Sequence, residues 1–255
     1  MTQYLKRERF SVDNGINSIG AILIGIFVIT LYAIVSGFIQ TLAVKPNLQG
    51  ENVLAVIGSL LSYVGFAYVL IYFIKRHNKK INYTPPNTYQ HKFLLIGVLI
   101  YFTSIMANIF MSNATGIVPE VSKNQETITL VMQQNTALLI WVVLSSCIFG
   151  PILEELVFRR IVIGEVNQSK VILAIRTAFS LIIFITLHVV NELSVMFAEP
   201  TAQNILLFIQ VALPYIVLSL GFTFVYLKYQ SIKASITAHV VCNGITTIFM
   251  LTTLF

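Results

Sequence analysis

The stretch from Ile16 to Leu42 reads INSIGAILIGIFVITLYAIVSGFIQTL and holds no Asp, Glu, Lys or Arg. An α-helix needs about 20 mainly apolar residues to cross roughly 30 Å of hydrocarbon, and this run exceeds that. Its many β-branched residues do not argue for a strand, because lipid offers no partner to a free backbone group and so imposes helix. The run is too long for a signal-peptide core and lacks a convincing cleavage site before the next apolar run, so it is expected to stay attached.

Six further runs repeat the pattern, approximately Val53 to Ile74, Phe93 to Met111, Ala137 to Phe158, Val171 to Val190, Ile205 to Tyr226 and Ile236 to Phe255. The 255-residue chain is 56% hydrophobic and only 10% charged, and its mean hydropathy is +0.83. The expected fold is all-α, a polytopic transmembrane bundle of about seven spans. It divides into a three-span N-terminal region (1–125) and a membrane core (126–255), integrated as one domain. The stretch from Ser112 to Thr136 is polar enough for a wet loop or surface helix.

Charge placement sets the orientation. With the N-terminus cytoplasmic, Lys6, Arg7, Arg9, Lys75, Arg76, Lys79, Lys80, Lys92, Arg159, Arg160, Lys170, Arg176, Lys228 and Lys233 all fall inside. Of the 16 Lys and Arg residues, only Lys45 and Lys123 fall outside, which follows the positive-inside rule along the whole chain. The net charge of +6 is thereby explained by topology. No basic-aromatic motif accompanies it, so nucleic acid is not an expected partner. Cys147 and Cys242 lie in apolar runs without a CxxC partner, so neither a disulfide framework nor a thiolate zinc site is indicated.

Titratable side chains inside hydrocarbon are costly, which makes each a functional candidate. Glu154, Glu155 and Arg159 stand in GPILEELVFRR, residues 150–160. Adjacent helical residues point about 100° apart. Glu155 and Arg159 form an i,i+4 pair in the favourable order, so Arg159 can neutralise Glu155 and leave Glu154 facing elsewhere. Pro151, without an amide donor, is expected to kink or open the helix just before the carboxylates. Phe184 and His188 share one helix face, and His239 and Asn243 share another. Singly, a membrane histidine is as readily a helix-helix hydrogen-bonding residue as a catalytic one. Together, a carboxylate, two imidazoles and an amide are what one activated water requires. Without Asn243 the same set could bind zinc.

The order and spacing of Glu154-Glu155-x-x-x-Arg159, Phe184-x-x-x-His188 and His239-x-x-x-Asn243 resemble the three signature motifs of the CPBP family. That family comprises type II CAAX prenyl endopeptidases and bacteriocin-processing or Abi-type membrane proteins. The resemblance covers about Pro151 to Asn243; the first three spans match only as generic membrane helices. It implies an intramembrane endopeptidase with Glu154 as general base, His188 holding the water with it, His239 as a further catalytic histidine and Asn243 as oxyanion donor. Glu155, Arg159 and Phe184 are then supporting residues. A bacterial plasma membrane and a hydrophobic or lipidated peptide substrate, met among membrane lipids, are the corresponding expectations.

No cofactor is favoured; a zinc-dependent variant would use Glu154, His188 and His239. A catalytically silent bacteriocin self-immunity protein and a proton-coupled transporter are the alternatives. By helix rise, at about 1.5 Å per residue, His188 lies deeper from Arg176 than Glu154 does from Arg159. The segment from Arg160 to about Arg176 is therefore expected to lie partly along the interface, with the fifth span starting late or tilting. Glu192, one turn beyond His188, becomes a second-tier candidate.

Overall fold

The computed structural model describes residues 12–43, 52–80, 91–117, 121–165 and 168–254, and every regular element among them is helical. Three long helices come first: α1 (Val12–Ala43), α2 (Asn52–Lys80) and α3 (Lys92–Thr115). The polar stretch that follows contains a short helix, α4 (Lys123–Met132). The fourth span is built of α5 (Thr136–Leu144), a π-helical turn π1 (Ser145–Phe149), α6 (Gly150–Glu154) and a longer π-helical segment π2 (Glu155–Ile163). Helices α7 (Lys170–His188), α8 (Val190–Ala198), α9 (Ala202–Tyr229) and α10 (Ile232–Leu254) complete the bundle.

Seven of these helical stretches are long and apolar enough to cross a membrane, among them Thr136–Ile163 and Lys170–His188. Their outer faces keep large apolar side chains such as Leu54, Phe110 and Val171 exposed, as a lipid-facing surface does. The protein is a multi-pass integral membrane protein. Lys6, Arg7, Arg9, Lys45, Glu51 and the loop with Pro85 and Pro86 lie outside the described residues.

Two packed layers mark the ends of the bundle. Phe93, Val225 and Ala234 join the start of α3, the end of α9 and the start of α10 at one face. Ile39, Val56, Val131, Met132, Leu138 and Trp141 join the end of α1, the start of α2, α4 and the start of the fourth span at the other. Between them, Tyr63, Leu153, Val157, Phe158 and Phe184 form a central core linking α2, the fourth span and α7.

The connection after the fourth span differs from the expectation. Residues from Arg160 to Ile163 continue the buried helix, and α7 begins at Lys170, so no long interfacial segment precedes a late span. Gly164 makes the turn at φ 75°, a left-handed backbone where a Cβ would meet the Arg176 guanidinium at 2.9 Å. Arg176 donates to the carbonyls of Val162 (2.6 Å) and Ile161 (2.8 Å) and to Gln168 Oε1 at 3.1 Å. A cation thus caps the C-terminal carbonyls of the fourth span. Because Arg176 is level with Ile161, the first turns of α7 extend past the end of that span, which removes part of the depth mismatch.

Candidate active site

The fourth span carries the first cluster on a helix whose hydrogen-bond register is widened on both sides of the carboxylates. Gly150 donates its N–H to Ser145 O, and Gly164 donates to Arg159 O, both i→i−5 bonds. Such π-type turns often accompany functional sites. The opening expected at Pro151 is present as the widened turn Ser145–Phe149 just before it.

Glu155 and Arg159 are both fully buried, with Arg159 Nε 3.4 Å from Glu155 Oε2. Arg159 also donates from Nη2 to Ser219 O (3.2 Å) and Ser219 Oγ (3.1 Å). Its guanidinium lies 4.9 Å from the Phe184 ring centroid and 5.9 Å from that of Phe222. The second Glu155 partner set comes from α10: Ser235 Oγ donates to Oε2, and His239 Nδ1 lies 2.9 Å from Oε1. A buried carboxylate with a guanidinium, a hydroxyl and an imidazole N–H around it has its hydrogen-bonding needs met on every side.

That bond fixes the tautomer of His239. With Nδ1–H donated to Glu155, Nε2 carries the free lone pair and lies 3.9 Å from Glu154 Oε2. His188 repeats the arrangement, because its Nδ1 is 2.7 Å from the carbonyl oxygen of Phe184, which can only accept. Its Nε2 is then also the free nitrogen, again 3.9 Å from Glu154 Oε2. Glu154 Oε2 itself is buried and has no hydrogen-bond partner.

Aromatic rings hold both imidazoles. Phe184 stacks on His188 with centroids 4.4 Å apart, and Phe222 stacks on His239 at 4.2 Å. Tyr215 closes the other side of His188 at 4.9 Å. Side chains of a helix point back toward its N-terminus, so His188, the last residue of α7, can reach down to Glu154. This direction supplies the rest of the depth that straight helix rise leaves unexplained.

Asn243 lies one turn beyond His239 and donates from Nδ2 to Ser146 O at 2.8 Å. One of its two amide hydrogens is thereby used, and the other remains for a ligand. Glu192 is placed elsewhere. Its Oε1 accepts from the backbone N–H of Lys123 at 2.7 Å, at the start of α4, and it does not line the site.

Glu154, His188, His239 and Asn243 all line one cavity of about 730 Å³. Tyr215, Phe222, Ser235 and Ser219 were not singled out as site residues from sequence. Ser235 precedes His239 by four residues and so shares its helix face, which is a usable signal; the two aromatic residues and Ser219 are indistinguishable by type from ordinary span residues.

The three side chains that zinc would use have suitable donor chemistry, since both imidazoles present Nε2 while Nδ1 is held by a carbonyl or carboxylate. As placed, no group of three or more His, Cys, Asp or Glu among the described residues stands at metal-holding geometry. The 3.9 Å separations are too wide for direct hydrogen bonds, and one oxygen atom set to the side of the line joining Glu154 Oε2 to either imidazole nitrogen can lie about 2.8 Å from both.

Residues 136–245 match the family model described as Type II CAAX prenyl endopeptidase Rce1-like. The match spans under half of the chain and contains the whole residue set from Glu154 to Asn243. It supports the resemblance carried by the three motifs, which at the level of the family is to an intramembrane CAAX-type protease. No curated protein and no solved structure gave a match.

Proposed function

We propose that this chain, similar over residues 136–245 to type II CAAX prenyl endopeptidases, is an intramembrane endopeptidase of the bacterial plasma membrane that hydrolyses a hydrophobic or lipidated peptide. The observation that carries the reading is Glu154 Oε2, buried and unpartnered, 3.9 Å from two imidazole nitrogens whose lone pairs are free. A water among these three acceptors donates one hydrogen to Glu154 and the other to an imidazole.

In the proposed reaction, Glu154 takes a proton as the water oxygen attacks the scissile carbonyl carbon, while His188 orients the remaining O–H. The carbonyl oxygen becomes an oxyanion, and the second Asn243 N–H stabilises it. Collapse of the tetrahedral species breaks the C–N bond, and Glu154 returns its proton to the leaving amine. His239, whose Nε2 is also 3.9 Å from Glu154 Oε2, can hold the water or the departing amine. Glu155, locked by Arg159 and Ser235, keeps the His239 tautomer fixed. No step requires a metal ion; zinc, if bound, would be held by Glu154, His188 and His239 and would polarise the carbonyl.

The decisive experiment compares peptides from membranes carrying the wild-type protein with those carrying Glu154→Gln. Fragments present only with the wild type identify the substrate. A cellular phenotype that survives Glu154→Ala would reject the reading in favour of a silent binding protein. Metal depletion of the purified enzyme is the second arm: activity lost and then restored by zinc would reject the metal-free mechanism.

A further inference from the structure

The cavity has a direction. Spans alternate in sense, so the residue number at which each one lines the cavity reports depth. Helix α1 contributes from Ile29 to Gln40, in its later part; α3 contributes from Tyr101 to Ile109; and α10 contributes from His239 to Met250. All three run toward the face that carries α4. The descending spans are compatible, since the lining of the fourth span begins at Trp141, near its start, and runs to Phe158, while α9 contributes its middle part from Val211 to Phe222. Helix α4 itself lines the mouth through Asn124 and Gln125.

The side chains of Glu154 and His239 therefore stand at the inner end of a channel that leads away from Lys75, Arg76, Lys92, Lys170, Arg176, Lys228 and Lys233. Those cations mark the opposite face of the bundle, the cytoplasmic one by the positive-inside rule. On the cavity side, Lys123 is accompanied by Glu126, Glu192 and Glu199. Within the described lining, Glu154 is the only Asp, Glu, Lys or Arg; the other polar side chains carry hydroxyls, amides, imidazoles and the Trp141 indole.

Along α10 the lining runs from His239 to Met250, about 16 Å at the rise of an α-helix. That length holds about five residues of extended peptide. A substrate whose free C-terminus lay three residues from the scissile bond, directed along this channel, would place its carboxylate inside it. No Lys or Arg among the described lining residues would meet that charge, and burying an unpaired carboxylate is strongly unfavourable.

From this geometry, and resting on the peptidase reading above, we propose that the substrate enters from the extracytoplasmic face and that the segment held in the channel is uncharged or cationic and internal to its chain. Exported or membrane-inserted peptides fit this class. A cytoplasmic protein ending in a free carboxylate within the channel does not.

Sidedness is tested with Gln40→Cys and Asn108→Cys, each labelled with a membrane-impermeant maleimide in intact spheroplasts and in inverted vesicles. The parent, whose Cys147 and Cys242 are buried, sets the baseline, and Lys228→Cys marks the basic face. The expected result is at least tenfold faster labelling of Gln40→Cys and Asn108→Cys from spheroplasts, with Lys228→Cys labelled only in inverted vesicles. Two cysteine positions guard against one variant failing to fold. Labelling of both from the Lys228 side overturns the assignment.

Substrate class is tested by protection of Gln40→Cys with the peptide Ala-Leu-Ala-Leu-Ala, as its C-terminal amide and as its free acid. Protection at a tenfold lower concentration of amide is expected. Asn108→Lys should shrink that ratio, a change that unequal membrane partitioning of the two peptides cannot produce. Equal protection by acid and amide, or an unaltered ratio in Asn108→Lys, rejects the class. Labelling does not depend on cleavage, so the two readings fail separately: loss of sidedness leaves the peptidase reading intact, and absence of Glu154-dependent cleavage leaves sidedness intact.

Discussion

The Asn243 amide donates to the carbonyl oxygen of Ser146 at 2.8 Å, and Ser146 is the residue five before Pro151. In a π-helical register the N–H of residue 151 would be its partner, as Gly150 N–H is the partner of Ser145 O. Proline has no N–H to give. The vacancy in the fourth span thus becomes the anchor that orients the Asn243 carboxamide in the cavity. Asn243→Ala should lower kcat by roughly 10²-fold with little change in KM, the usual cost of losing one oxyanion donor. Asn243→Asp should be no better, because a carboxylate faces Ser146 O with two acceptors. Steady-state kinetics on the peptide identified by the Glu154→Gln comparison checks both; a change confined to KM would count against the oxyanion role.

The spans were legible in the sequence because each is an uninterrupted apolar run, and helix boundaries moved by only a few residues, as from Ala137–Phe158 to Thr136–Ile163. The meeting of Glu154, His188 and His239 was legible because ionisable residues are so few in these spans. The π-helical turns were not, since nothing in SSCIF or ELVFRRIVI differs by type from α-helical sequence. Tyr215 and Phe222 were equally hidden: a ring that clamps an imidazole and a ring that faces lipid have the same letter. The orientation of the cavity depends on which part of each helix lines it, and only assembled spans reveal that.

Buried charge is the basis of the next expectation. Arg159 and Glu155 have no solvent exposure, and each is the other's counter-ion. Removing one partner strands the other, at about 3–5 kcal/mol for a buried pair. Arg159→Leu should therefore lower the melting temperature in detergent sharply. Glu155→Leu combined with Arg159→Leu should recover much of the stability and none of the activity, because His239 Nδ1 has lost its carboxylate acceptor. Recovery of cleavage in the double variant would show that the tautomer of His239 is set by something else.

Close packing between α3 and α10 gives a contrast of two glycines. A Cβ at Gly97 would lie 2.8 Å from Ala238 O and 2.9 Å from Val241 Cβ, while one at Gly58 meets nothing within 4 Å. Gly97 must remain small for α3 to lie against the turn that carries His239. Gly97→Ala should destabilise by about 1–3 kcal/mol through overpacking, and activity should fall with it as the His239 backbone shifts. Gly58→Ala should be neutral, or more stable by up to about 1 kcal/mol, from helix propensity alone. Thermal unfolding in the same detergent compares them; equal effects would mean that the α3–α10 approach is not limited by Gly97.

Glu192 follows His188 by four residues and yet serves a different element. Its carboxylate accepts the Lys123 N–H at the first turn of α4, where an unpaired backbone donor and the helix dipole both favour an anion. Ser122, the residue before, accepts from Gln125 N and shares a hydrogen bond with the Tyr215 hydroxyl, whose ring packs on His188. Glu192 and Tyr215 thus fasten the start of α4 at the cavity mouth. Glu192→Ala should loosen that attachment by an amount typical of a lost cap, about 1 kcal/mol, and speed proteolysis within α4. Cleavage of substrate should change mainly in KM, with kcat kept within about threefold, since no transition-state contact is removed. A loss of kcat as complete as that of Glu154→Gln would instead place Glu192 among the reacting groups.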